Sequence, residues 1–143
     1  MLHFLLEVSK LPQRDPNTEI NVFETKDHTL IQTSIDNFNN EIKWDGMFDL
    51  NEANRRFSNN SIMFVALHDD LVYGHCWLAK ISDTEYKIYN VYSKQTENVR
   101  NYGATDMLFY VIKNYTNGIV VSDVDEWNEK SINMFKKLGF EEI

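Results

Sequence analysis

Asn128-Glu129-Lys130-Ser131-Ile132-Asn133-Met134-Phe135-Lys136-Lys137-Leu138-Gly139-Phe140 is the stretch from which the fold is most directly read. Ile132, Phe135 and Leu138 recur at helical spacing and define one apolar face. Lys136 and Lys137 complement the negative end of the helix dipole, and Gly139 suits the C-cap. Just upstream, Ile119-Val120-Val121 reads as a short buried strand, with Asn117-Gly118 as the break before it. Met107, Leu108, Val111, Ile112 and Tyr115 trace a second helix face. That helix opens from Arg100-Asn101-Tyr102-Gly103-Ala104-Thr105, a glycine-bearing segment between strand and helix. A glycine there lets the backbone approach a ligand, and the free N–H groups of a first helical turn favour a phosphate.

Further toward the N-terminus the pattern changes. Residues 61–67 and 71–79 read as strands joined by a hairpin turn at His68-Asp69-Asp70, and residues 86–92 as a third strand. Two helices precede them. Asp27 caps one that carries Ile31, Ile35, Phe38 and Ile42 on a single face. Asp49 and Glu52 form a capping-box-like pair opening the other, with Leu50, Ala53 and Phe57 inward. Between them lies Lys43-Trp44-Asp45-Gly46-Met47-Phe48, an unusually apolar loop. Residues 1–18 form an N-terminal arm: a strand at 2–8, then a turn-rich break where Pro12 and Pro16 flank Gln13-Arg14-Asp15. Residues 19–24 supply one more strand. An antiparallel meander followed by a β-α-β-α tail predicts a mixed α/β (α+β) domain over residues 1–143. Its mixed sheet has about six strands and carries about four helices on its faces.

Composition narrows the function. The chain carries 14 basic and 22 acidic residues, a net charge of −8 that argues against nucleic acid as a partner. The same charge favours cationic small molecules or peptides. A single cysteine, Cys76, excludes an internal disulfide and any multi-cysteine metal site, and it reads as a small core residue. His3, His28, His68 and His75 have no ligand spacing, so no metal is expected. The longest apolar runs, such as 107–112, fall far short of the ~20 residues that a membrane helix needs. The first residues lack the basic n-region of a signal peptide, and a cytoplasmic location is the expectation.

Two motifs point to a family. The string from Asn128 to Phe140 resembles the signature of GNAT-superfamily N-acetyltransferases: an Asn, a small residue three later, an aromatic at the seventh place, then Gly-Phe. The segment Arg100 to Thr105 resembles that family's pyrophosphate loop, and the element order from about residue 19 onward agrees. The resemblance implies a wedge for acetyl-CoA, as co-substrate, where the strand at 86–92 splays from the strand at 119–121. Asn90, Val91 and Tyr92 would pair with the pantetheine arm, and Arg100, Asn101, Tyr102, Gly103, Ala104 and Thr105 would hold the pyrophosphate. Asn128 and Ser131 would complete the coenzyme site. Trp44, Met47 and Phe48 lie in the loop that covers the amine acceptor in this family. Glu85 and Asp123, with Asp125, are candidate general bases, since a carboxylate can take the amine's proton.

The sequence also departs from the family. Thr105 stands where a smaller residue is usual, and the loop between Val91 and Gly103 is longer than the family's. Phe135 occupies the place of the tyrosine that usually protonates the departing thiolate, and phenylalanine has no proton to give. Two readings follow. One is an enzyme moving an acetyl group by direct attack onto a polyamine, an aminoglycoside-like compound or a basic peptide terminus. The other is a catalytically weakened module of the same fold that binds CoA or a protein partner. The family also continues past Gly-Phe with a full strand beside residues 119–121, for which residues 140–143 are too few. Bare strand edges invite pairing. The expectation is that either a homodimer or the N-terminal strand at 2–8 covers that edge.

Overall fold

The computed structural model describes residues 1–42, 48–94 and 103–143. Seven strands form one sheet: β1 (Leu2–Glu7), β2 (Asn21–Glu24), β3 (Ser61–His68), β4 (Leu71–Ser82), β5 (Glu85–Ser93), β6 (Ile119–Val124) and β7 (Glu141–Glu142). Their spatial order is β2-β3-β4-β5-β6-β1-β7, with every neighbouring pair antiparallel except β5 and β6. The helices are α1 (His28–Glu41), α2 (Leu50–Ser58), α3 (Ala104–Tyr115) and α4 (Glu129–Lys137).

Local chemistry explains the element boundaries. Asp27 accepts a hydrogen bond from the Leu30 N–H at 3.0 Å and Asp49 one from the Glu52 N–H at 2.9 Å, each closing a helix start. Asp69 and Asp70 both hold positive φ, 49° and 63°, as a two-residue hairpin turn demands, so β3 and β4 pair directly. β4 runs on to Ser82, beyond the expected end at 79, because it continues to pair with β5 down to Glu85.

Two cores lie on opposite sides of the sheet. One gathers Phe64, Cys76, Leu78, Ile88 and Val120 under α3 and α4. The other gathers Met63, Val65, Trp77 and Tyr92 beneath Ile31, Ile35 and Phe38 of α1 and Ala53 of α2.

The N-terminal strand lies inside the sheet. β1 pairs with β6 along its whole length, Leu2 opposite Val124 through Glu7 opposite Ile119. It thereby covers the β6 edge, which is one of the two alternatives expected from the sequence. β7 adds only two paired residues on its far side, with the Ile143 N–H donating to the His3 carbonyl at 2.9 Å. Glu141 and Glu142 make that outer edge short and charged, a common protection against unwanted strand pairing. Phe4 and Leu6 of β1 are buried at 0% and 1% exposure, and the Phe4 ring stacks on Phe135 with centroids 6.1 Å apart.

β1 should therefore be required for stability. Phe4→Ala removes a fully buried ring and should cost about 3–5 kcal/mol in urea-unfolding free energy. Leu5→Ala, on the more open face of the same strand, should cost far less; equal losses would show that β1 is not anchored through the α4 side.

Candidate functional site

β5 and β6 start as a parallel pair but do not stay one. Pairing runs from Glu85 opposite Ile119 to Lys87 opposite Val121 and then ends. Beyond that point the Ser122 hydroxyl donates to the Ile88 carbonyl at 2.9 Å, satisfying the first acceptor left by the parting strands. Among the described residues, Tyr89 to Ser93 consequently have no strand partner on the β6 side. An unpaired strand edge is what an extended ligand arm can pair with.

A bulge sits on this free edge. Tyr89 faces Trp77 and Tyr92 faces His75, so three steps on β5 match two on β4. The extra residue bends the strand and reverses its alternation. Tyr86 and Ile88 face the α3/α4 core, whereas Tyr92 joins the α1/α2 core. Asn90 takes up the turn with φ at +48°. Gly74 permits the close approach of β4, because a Cβ there would stand 2.3 Å from the Tyr92 carbonyl oxygen.

A buried polar cluster lies behind the bulge, on the α1/α2 side. The Arg56 guanidinium is set over the rings of Phe48, Trp77 and Tyr89, at 4.7, 5.0 and 5.2 Å. It donates from Nη1 to the Asn90 Oδ1 at 2.6 Å and from Nε to the Glu52 Oε2 at 3.1 Å. Hydrogen bonds and charge from Arg55 and Arg56 hold the Glu52 carboxyl below its ordinary range. His75 is fully buried, its Nδ1 2.6 Å from the Ser34 hydroxyl. Burial, with the Arg56 charge added, lowers the imidazole from 6.5 to about 3, so it is neutral. His75 Nε2 and Trp77 Nε1 find no hydrogen-bond partner among the described residues. The Tyr92 hydroxyl donates to Glu41 at 2.7 Å, and burial followed by that contact pushes its pKa up, so the phenol stays neutral.

The structure sorts the residues singled out in the sequence. Asn90, Val91 and Tyr92 lie on the free edge of β5. Gly103, Ala104 and Thr105 open α3. Arg100, Asn101, Tyr102, Trp44 and Met47 lie outside the described residues. Gly103 has φ at −61°, and a Cβ there meets nothing nearer than 3.9 Å. The fold itself does not require a glycine at this position, so its value would lie in a ligand's approach. Beside it, a cavity of about 480 Å³ is lined by Gly103 and Thr105, by Arg14 and Asn17 of the N-terminal arm, and by Lys137. Asp106 ties the arm to α3, accepting from Arg14 at 2.6 Å and from Asn17 at 3.1 Å. Asn128 caps α4, its Oδ1 accepting from the Ser131 N–H at 3.2 Å, so these two residues bond to each other.

Other expected roles meet obstacles. Phe48 is a core residue with 2% exposure. Phe135 is equally buried, stacked on Phe4 and set edge-on to Phe140 at 5.0 Å. Glu85 stands at the paired end of β5, seven residues and therefore about 23 Å from Tyr92 along the strand. Asp123 is held by His3 at 2.6 Å and Lys87 at 3.0 Å, and these hydrogen bonds hold its carboxyl pKa below the usual carboxylate range, the reverse of what a base needs. Burial raises the Cys76 thiol, which suits a core residue and not a nucleophile. Sequence reading missed Arg56, although one signal was present: it follows Ala53 by three residues and so sits on the apolar stripe of α2.

No protein-family model matches the sequence, and neither does any curated protein. Solved structures do match. An aminoglycoside acetyltransferase from an uncultured soil metagenomic sample superposes with a TM-score of 0.62 at 17% identity, over 85% of this chain and 88% of that one. An acetyltransferase of the GNAT family from Staphylococcus aureus gives 0.66 at 17% identity, over 87% and 85% of the two chains. AAC(6')-Iy, solved in complex with the bisubstrate analogue CoA-S-monomethyl-acetylneamine, gives 0.66 at 15% identity, over 87% and 92%. The likeness is one of fold: this chain has the mixed α/β architecture of GNAT acetyltransferases.

The neutral buried imidazole makes stability depend on pH. An unfolded His75 binds a proton below about 6.5, whereas the folded one resists it down to about 3, so stability falls as pH falls through that window. Urea unfolding should show a loss of about 2 kcal/mol from His75 between pH 7 and pH 5. Glu52 and Asp123, which lose their charge only at lower pH, contribute little there. His75→Gln should flatten the slope; an unchanged slope would place its origin elsewhere.

Proposed function

We propose that this chain, built on the GNAT fold, moves an acetyl group from acetyl-CoA to an amine. The observation that carries the reading is the free edge of β5 from Tyr89 to Ser93, which opens where β6 departs. The α3 start at Gly103, with its uncapped first turn, follows β5 in the chain. Backbone groups of Asn90, Val91 and Tyr92 would receive the pantetheine arm as an added strand. First-turn N–H groups at Ala104 and Thr105 would hold the pyrophosphate, which a helix N-terminus favours electrostatically. Arg100, Asn101 and Tyr102 belong to the same proposed loop, and Asn128 and Ser131 would border the site through the α4 start.

The reaction needs little beyond placement. The amine's lone pair attacks the thioester carbonyl carbon, a carbon–nitrogen bond forms, and the carbon–sulfur bond breaks. The ammonium proton passes to water, because Glu85 stands at the paired end of β5 and the Asp123 carboxylate is held by His3 and Lys87. The thiolate takes its proton from water, because Phe135 offers none. Orientation of the two reactants then supplies most of the rate. The acidic surface favours a cationic acceptor: a polyamine, a basic peptide terminus or an aminoglycoside-like compound, the last in keeping with the aminoglycoside acetyltransferase among the matching structures. Trp44 and Met47 belong to the segment proposed to border that acceptor, whereas Phe48 anchors the end of that segment in the core. The buried Phe135 favours a second reading, in which the chain binds CoA without turnover.

Calorimetric titration with acetyl-CoA tests the assignment. Wild type should bind, and Gly103→Val should abolish binding. The valine has free space in the protein and should cost no more than about 1 kcal/mol of stability as a cap change. Equal affinity in the variant would overturn the phosphate-loop assignment. Thiol release measured across an amine panel then separates the two readings: turnover supports the transferase, and binding without turnover supports the module.

A further inference from the structure

The break in β5 depends on a residue in an unfavourable backbone conformation. Asn90 holds φ at +48°, a region L-residues seldom adopt although asparagine tolerates it better than most. Such strain persists only where the surroundings over-determine it. The Asn90 side chain accepts from the Arg56 guanidinium at 2.6 Å, with the buried His75 ring as a second neighbour. Arg56 is itself fixed on three sides by the rings of Phe48, Trp77 and Tyr89, and Glu52 holds its Nε. A long, flexible cation has thereby become a rigid fixture with 7% exposure. A buried charge needs both partners and polarisable faces to be tolerated, and Arg56 has both.

We infer that Arg56 is a positioning residue. Its clamped guanidinium holds Asn90 in the left-handed conformation, and so fixes the bulge that presents the free edge of β5 to the coenzyme arm. This inference rests on the acyl-CoA reading of that edge. Arg56 touches no ligand in this scheme. It acts through Asn90, whose extra place in the strand turns Tyr92 toward His75 along the stretch of β5 that β6 has already left. The ring faces suit a delocalised planar cation better than a compact ammonium, so lysine is a poor substitute.

The test measures acetyl-CoA affinity and unfolding midpoints on the full chain. Arg56→Met keeps a long side chain among the rings but removes the donor; binding should weaken about tenfold or more, as should Arg56→Lys. Asn90→Ala and Asn90→Gly both lose the hydrogen bond, but only glycine adopts positive φ freely. The glycine variant should bind several-fold tighter than the alanine variant, and adding Asn90→Gly to Arg56→Met should restore part of the lost affinity. A merely structural role would make affinity follow the unfolding midpoint and would give no such rescue. Wild-type affinity in Arg56→Met, or equal affinity in the two Asn90 variants, would overturn the inference; if Arg56→Met does not fold, the Asn90 pair decides. No binding to wild type would overturn the coenzyme reading and this inference together, whereas binding without the predicted order overturns the inference alone.

Discussion

Where β5 leaves β6, one extra residue has to be accommodated, and the surrounding structure is arranged around that requirement. The parallel pairing ends at Lys87 opposite Val121, the Ser122 hydroxyl meets the next carbonyl, and Asn90 absorbs the additional step. Because side chains alternate across a strand, the single insertion moves Tyr92 from one core to the other. There its ring lies edge-on to Phe38 at 5.6 Å and its hydroxyl reaches Glu41. The change of core at Tyr92 and the free strand edge thus fall on the same short stretch of β5.

The cluster behind the bulge combines a permanent cation with a suppressed one. Arg56 keeps its charge because aromatic faces and Glu52 replace the water it has lost. His75, buried nearby against the Ser34 hydroxyl, stays neutral; a second positive charge in that volume would be costly. Asp123 follows the opposite logic on the more exposed side, with the Lys87 ammonium and the His3 ring hydrogen-bonded to its carboxylate. Ionisable groups close to the candidate site therefore serve structure more plainly than proton transfer. Chemistry that needs little proton transfer is compatible with such a site, since a thiol titrates near ~8.5 and its thiolate leaves without much help.

The sheet is completed from the opposite end of the chain. β1 fills the space beside β6, and the Phe4 ring it brings stacks against Phe135. This links the N-terminal strand to α4 and to the position where an acid would otherwise be sought. A ring enclosed by Phe4 and Phe140 is a packing element, so the same contacts that stabilise the fold keep a proton donor out of that place.

The sequence by itself determined the elements whose causes are local. Asp27, Asp49 and Asn128 cap helices as their types predict, Asp69-Asp70 makes the hairpin turn, and the apolar faces of α1 and α3 are the ones that periodicity marks. The strand-loop-helix order around Gly103 was likewise readable. Tertiary structure alone decided what depends on residues far apart in the chain. Arg56 and Asn90 are 34 residues apart and Ser34 and His75 are 41 apart, so no local pattern announces either bond. The bulge itself is invisible in residues 86–92, because a strand reads the same until its partner fixes the register. Glu85 and Asp123 looked equivalent as carboxylates near strand ends. Only the pairing of β5 with β6 showed one to lie at the closed end and the other to be bound by His3 and Lys87, since distance and electrostatic environment are properties of the assembled sheet.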